Sequence, residues 1–214
     1  MNFNEPVLLI GNGPVDAGAL ALAAPICEKT VAADGGAHTA LSVGLTLTAT
    51  IGDMDSALTK NLPQTLGEIF EIFDQDTTDF EKCLNEIDAP LILGLGFLGG
   101  RLDHELAALH AVINSTTPVV LIGEVDLVFL LPQVFEIELA VGSRISFFPM
   151  GEVNGVKSTG LKWEISNLAL APDKKISTSN QVSAPFLSIT NPNQPLLCIL
   201  PREHLSAALK SFKL

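Results

Sequence analysis

Between Val7 and Gly123 the chain alternates short, unbroken apolar runs with helix-like stretches, and this alternation restricts the fold more than any other feature. The runs are VLLIG from Val7, TVAAD from Thr30, ATIGD from Ala49, IFEIF from Ile69, PLILGLG from Pro90 and PVVLIG from Pro118. Between several of them lie DAGALALAA, GAHTALSVG, TDFEKCLNEI and RLDHELAALHAVI. Strands that are apolar on both faces and separated by helices predict a mostly parallel sheet in an α/β domain, covered on both sides. After Gly123 the pattern changes. VDLVFLLP, VFEIELA, SRISFFPM, GLKWEISN, SAPFLSIT and PLLCILP are short runs punctuated by Gly, Pro, Asn and Ser, with HLSAALKSF as a helical tail. They predict an antiparallel, sandwich-like β domain. The expected domains are residues 1–123 and 124–214.

The net charge of −12 makes the chain a poor non-specific ligand for nucleic acid or an anionic membrane. A nucleotide would need cations to bind beside so much negative charge. Cys27, Cys83 and Cys198 are far apart and odd in number, with no zinc spacing and no disulfide framework, so a reducing, cytoplasmic setting is expected. The N-terminus has no basic stretch leading into an apolar one, the pattern of a signal peptide. PVVLIGEVDLVFLL is broken by Glu124 and Asp126 and is too short to span a bilayer.

Ligands of open parallel sheets bind beyond the carboxyl ends of the strands. Asp34 follows the second apolar run, Asp53 and Asp55 the third, Asp76 and Asp79 the fourth, and Asp103 the fifth. The fold would therefore gather carboxylates on one rim. Two like charges at ~4 Å repel by roughly 4 kcal/mol at an effective dielectric near 20. Such a cluster calls for protonation, basic partners or a divalent cation. Mg²⁺, which takes one or two carboxylates plus phosphate oxygens, suits it, and the chemistry it serves is phosphoryl-type transfer. An extended chain through Met54 would direct Asp53 and Asp55 to one side. Local roles compete for the same residues. Asp34 before Gly35-Gly36 suits a turn, Thr78 and Glu81 match a capping box, and Asp79 and Asp103 suit the first turn of a helix.

Two motifs are decoys. Gly94-x-Gly96-x-x-Gly99 matches a dinucleotide-binding turn, but the acidic partner expected about 20 residues on has only Glu124 or Asp126 to offer, both late. The glycines still suit a turn whose amides approach phosphate, with Arg101 as a fixed cation. HELAALH carries Ala108 where a zinc protease needs histidine, which leaves His110 as a surface or packing residue.

ADGGAH (33–38), IGDMDS (51–56), DQDTTDFEKCL (74–84), LGGRLDH (98–104), TGLKWEISN (159–167) and STSN (177–180) stand in an order that resembles the thiamin pyrophosphokinase family. The resemblance runs from about Val7 to Asn180. It implies an enzyme that moves the pyrophosphoryl group of ATP to the hydroxyl of thiamin, giving thiamin diphosphate and AMP. It also implies a homodimer whose active sites lie where one subunit's α/β domain faces the other's β domain. Carried onto this chain, Asp53, Asp55 and Asp79 would hold Mg²⁺. Asp34, Gly35, Gly36, Asp76, Thr78, Lys82, Arg101 and Asp103 would line the nucleotide and reaction site, and Asp55 or Asp103 would help take the hydroxyl proton. Trp163, Ser177, Ser179 and Asn180 would bind thiamin. On its own Trp163, the sole tryptophan, reads first as a core residue, and STSN as a polar turn. A tryptophan face does, however, suit a cationic aromatic ligand. His38 departs from the family's usual asparagine, and Met54 from a common phenylalanine. A pterin-using pyrophosphokinase would keep the aspartates without needing Trp163, and a nucleotide-sensing module would be expected to have lost an acidic position.

Overall fold

The computed structural model describes residues 1–54, 66–192 and 194–212, and the chain divides into two compact units, Met1–Glu124 and Val125–Leu214.

The first unit is built on six strands: β1 (Val7–Ile10), β2 (Lys29–Ala33), β3 (Ala49–Gly52), β4 (Glu68–Glu71), β5 (Ile92–Leu95) and β6 (Val119–Ile122). They lie in the order β6-β5-β1-β2-β3-β4, and every neighbouring pair is parallel. All residues of β1, β3, β5 and β6 are buried, which is why these runs are apolar without alternation. The chain builds outward from β1 to β4 on one side, then crosses to the other side of β1 for β5 and β6. The crevice at β1 and β5 is therefore the point where strand order reverses, and such switch points are where open α/β sheets bind ligands.

The helices are α1 (Ala17–Ala23), α2 (Gly36–Ser42), α3 (Asp79–Glu86) and α4 (Leu102–Asn114). The α3 start is a full capping box. The Thr78 hydroxyl accepts from the Glu81 N–H at 3.2 Å, and the Glu81 carboxylate accepts from the Thr78 N–H at 2.8 Å. Thr78→Ala removes half of this arrangement and is expected to cost about 1 kcal/mol, read as a lower urea midpoint with unchanged slope.

The second unit holds seven strands among its described residues: β7 (Asp126–Leu130), β8 (Val134–Glu138), β9 (Arg144–Pro149), β10 (Lys157–Thr159), β11 (Ser177–Gln181), β12 (Phe186–Thr190) and β13 (Leu196–Pro201). Antiparallel pairing gives one sheet in the order β11-β9-β13-β7 and a second in the order β10-β12-β8. Phe129 on β7 meets Phe135 on β8 with ring centroids 5.7 Å apart, so the two sheets share a core. Phe212, just after helix α5 (Leu205–Lys210), packs edge-on against Phe129 at 5.2 Å. The tail is helical, as its sequence predicts.

Three local expectations change. GLKWEISN is no strand. Ser158 and Glu164 side chains take the bonds a ladder would supply: the Ser158 hydroxyl donates to Glu164 at 2.5 Å and accepts from the Ile165 N–H at 2.9 Å, and Glu164 also accepts from the Leu161 N–H at 3.1 Å. The result is a side-chain-braced loop that carries Trp163. STSN is part of strand β11, not a plain turn, with a register shift between Ser177 and Asn180. Finally, β3 ends at Gly52 and Met54 adopts φ 64°, so the chain turns at Met54 instead of running extended. Met54 itself is buried.

Candidate active site

Asp34 leaves β2 with φ 40° and is 5% exposed, its N–H held by the Ile51 carbonyl at 2.8 Å. Gly52 ends β3 directly beside it. A Cβ at Gly52 would stand 2.7 Å from the Asp34 Cβ and 3.2 Å from Asp79 Oδ1. Adjacent strands β2, β3 and β4 thus bring Asp34, Asp53 and Asp79 to one point on the rim. Asp55 lies outside the described residues.

The electrostatics agree with that closeness. Burial pushes the Asp79 carboxyl above its ordinary value, and the charges of Asp34 and Asp53 push it further. Lys82 opposes them, with its Nζ 3.0 Å from Asp79 Oδ1 and its side chain only 4% exposed. The ion pair therefore stands at the cluster's base. Lys82→Met is expected to raise the Asp79 pKa further, because both influences that lower it come from Lys82. Ionised Asp79 would then appear only at higher pH, a change that carboxyl-carbon NMR titration reads directly.

Asp74, exposed beside the cluster, accepts from the Thr77 hydroxyl at 2.5 Å and the Asp76 N–H at 2.9 Å. These bonds hold its carboxyl below the usual range. They also fix the turn that leads into Thr78 and α3. Asp76 itself is exposed.

These residues open onto a cleft of roughly 590 Å³ at the switch point. Asp34, Gly35, Asp53, Thr78, Asp79, Lys82 and Arg101 line it, whereas Asp76 and Asp103 do not. Strand β1 lies between β2 and β5, so Asp103 at the β5 end stands apart from the aspartates of β2, β3 and β4. Asp103 instead takes the Arg101 guanidinium in a two-point contact at 2.6 and 3.1 Å. That contact holds the Asp103 carboxyl below the usual range. Gly36 serves the frame by packing its backbone against the end of β1.

The cleft also holds residues beyond those expected from the sequence. Gly11, Asn12 and Gly13 line it from the end of β1, and Phe97 lines it from the end of β5. Gly13 donates to the Gly96 carbonyl at 2.9 Å, and a Cβ at Gly11 or Gly13 would fall 2.6–2.7 Å from that oxygen. Glycine spacing at the end of the first apolar run was the available signal. The glycine turn itself differs from the expectation: the amides of Gly99 and Gly100 both donate to Glu105 Oε1, so an internal carboxylate occupies the place anticipated for phosphate.

In the second unit, Trp163 is 55% exposed, not a core residue. Asn180, 2% exposed, ties it to β11: its Oδ1 accepts from the Trp163 N–H at 3.2 Å and its Nδ2 donates to the Trp163 carbonyl at 2.7 Å. The same Nδ2 donates to the Ser177 hydroxyl at 3.1 Å. Ser179 sits in the bulge with φ 56°, its N–H bonded to the Ser146 hydroxyl at 3.0 Å. Trp163, Ser177 and Asn180 thus form one hydrogen-bonded platform with the indole open to solvent.

The chain thus combines an α/β unit that carries an acidic cleft at its switch point with a β unit that presents an exposed tryptophan. Residues 23–122 match the family described as "Thiamin pyrophosphokinase, catalytic domain", and residues 134–193 match "Thiamin pyrophosphokinase, vitamin B1 binding domain". The chain belongs to the thiamin pyrophosphokinase family. It is 34% identical over 160 residues to thiamine pyrophosphokinase 1 of Oryza sativa subsp. japonica, covering 65% of this chain and 61% of that protein. It is 34% identical over 147 residues to thiamine pyrophosphokinase 2 of Arabidopsis thaliana, covering 61% of this chain and 55% of that protein. These matches therefore span less than two thirds of either relative. Among solved structures, a thiamin pyrophosphokinase from Candida albicans shares the fold with a TM-score of 0.77 at 19% identity, over 92% of this chain and 89% of that one. One from Geobacillus thermodenitrificans does so with a TM-score of 0.74 at 21% identity, over 92% and 96%.

Proposed function

We propose that this protein transfers the pyrophosphoryl group of ATP to the hydroxyl of thiamin, releasing AMP. The observation that carries the reading is the convergence of Asp34, Asp53 and Asp79 around Gly52, in a chain whose two halves match the family's catalytic and vitamin B1-binding domains. Among the described residues no group of three His, Cys, Asp or Glu side chains is arranged to hold a metal ion. Mg²⁺ does not require three, since it takes one or two carboxylates together with phosphate oxygens and water. The closeness of Asp53 and Asp79 fits such a seat, with Asp55 as the third member of the expected set. When bound, Mg²⁺ supplies positive charge against the phosphate oxygens.

The chain's own groups supply the rest. Lys82 fixes Asp79 and neutralises charge at the cluster, and Arg101, paired with Asp103, lines the same cleft. Catalysis of this kind is mainly positioning and electrostatics. The thiamin hydroxyl would attack the β-phosphorus in line, with AMP leaving. Arg101 holds the Asp103 carboxyl below the usual range, and either Asp103 or Asp55 would help take the hydroxyl proton. Trp163 and Ser177 would hold thiamin in a homodimer, each cleft working with the tryptophan platform of the other copy. The three unpaired cysteines support a reducing, cytoplasmic setting.

A panel of alcohols tests the assignment. With ATP and Mg²⁺, thiamin should be pyrophosphorylated at least about a hundredfold better than a hydroxymethyl pterin, because thiamin is both aromatic and cationic and so suits a tryptophan face by stacking and cation–π attraction. Equal use of the pterin would overturn the substrate assignment.

A further inference from the structure

The loop that carries Trp163 contains a second feature. The Lys162 ammonium stands 4.6 Å from the centroid of the Trp163 ring, within reach of a cation–π contact. It is also anchored, since Nζ donates to Gln181 Oε1 at 3.1 Å. Gln181 is the last residue of β11, one position beyond Asn180, which already holds the Trp163 backbone from both sides. The Gln181 N–H donates to Asn180 Oδ1 at 2.8 Å, and the Gln181 carbonyl accepts from the Lys162 N–H at 2.8 Å. The backbone of Trp163 is therefore clamped by Asn180, and its ring is held by Lys162 through Gln181.

We propose that Lys162 is a positioning residue for Trp163: its ammonium, tethered to Gln181, pins the half-exposed indole in one orientation, leaving the face away from Lys162 for the aromatic ring of the substrate. The proposal rests on the thiamin reading for its substrate. An exposed indole on a loop would otherwise turn about its side-chain torsions, and a ligand stacking on it would have to order it. With one ring face already taken by a cation, a cationic group of the ligand gains less by lying over that same face. The pinned indole thus selects which face is stacked.

The chain has one tryptophan and no tyrosine, so its intrinsic emission reports on Trp163 alone. In Lys162→Met, which keeps the aliphatic stem, acrylamide quenching of Trp163 should increase and its emission anisotropy fall. The KM for thiamin should rise roughly three- to fivefold, the equivalent of an exposed cation–π contact, while the KM for ATP stays unchanged. Lys162→Arg keeps a cation over the ring and should restore both readouts. Unaltered emission in Lys162→Met overturns the proposal, and so does altered emission with an unaltered thiamin KM. Equal rises in both KM values, or a failure of Lys162→Arg to rescue, would make the residue merely structural and likewise overturn it. If the parent protein does not use thiamin at all, the substrate assignment fails before any variant is measured, whereas the emission readout still judges the ring contact.

Discussion

Asp53→Asn is expected to lower Mg²⁺-dependent AMP formation by at least about a hundredfold, the scale on which a preorganised charge contact contributes to transfer. The same change should leave the urea midpoint close to that of the parent. Asp53 is half-buried at the mouth of the cleft and accepts a long 3.4 Å hydrogen bond from Gln75. Asparagine preserves its size and that acceptor, and it removes a charge that repels Asp79, so the fold should not be weakened. Asp79 would be a less discriminating choice. Its carboxylate faces the buried Lys82 ammonium at 3.0 Å, and its loss would leave that cation uncompensated. Steady-state AMP release and urea denaturation on Asp53→Asn separate chemistry from folding. Near-parental turnover would remove Asp53 from the metal seat.

The largest stability effect is expected from Gly36→Ala. A Cβ at Gly36 would fall 2.1 Å from the Ile10 carbonyl oxygen, 2.8 Å from the Ile10 carbonyl carbon and 2.9 Å from the Gly11 carbonyl carbon. All three are backbone atoms at the end of β1, so no side chain can swing aside. Either α2 must lift away from β1 or the strand end must shift. Overpacking of this kind typically costs 1–3 kcal/mol, and a clash with backbone on this scale belongs at about 3 kcal/mol or above. The same displacement would move Gly11 and Asp34, which flank the cleft, so activity should fall along with the urea midpoint. A Gly36→Ala protein as stable as the parent would contradict the packing described at this helix start.

The parts of the fold that were legible in the sequence are those set by local chemistry. Buried parallel strands require unbroken apolar runs, and β1, β3, β5 and β6 show them. Thr78 and Glu81 are only three residues apart, so their capping box could be read directly. The carboxylate rim followed from strand polarity alone. What could not be read depends on contacts distant in sequence. Asp103 occupies the same rim as Asp34, but strand order puts β1 between β5 and β2, and Arg101 takes up its charge. GLKWEISN alternates enough to suggest a strand, yet Ser158 and Glu164 supply competing side-chain hydrogen bonds that fold it into a loop. Trp163 looked like a core residue because tryptophan usually is one. Its exposure follows from that loop and from the hold of Asn180, 17 residues away. The Glu105 carboxylate reaches back six residues to the Gly99 amide and five to the Gly100 amide, farther than the contacts within a tight turn.

The most direct test of the central claim is AMP release from ATP and Mg²⁺ by the purified protein, with and without thiamin, with the thiamin product identified by mass. The account predicts AMP formed in a one-to-one ratio with thiamin diphosphate, dependent on thiamin and abolished when Mg²⁺ is chelated. ADP as the nucleotide product, AMP formed equally well without thiamin, or no nucleotide turnover at all would contradict it.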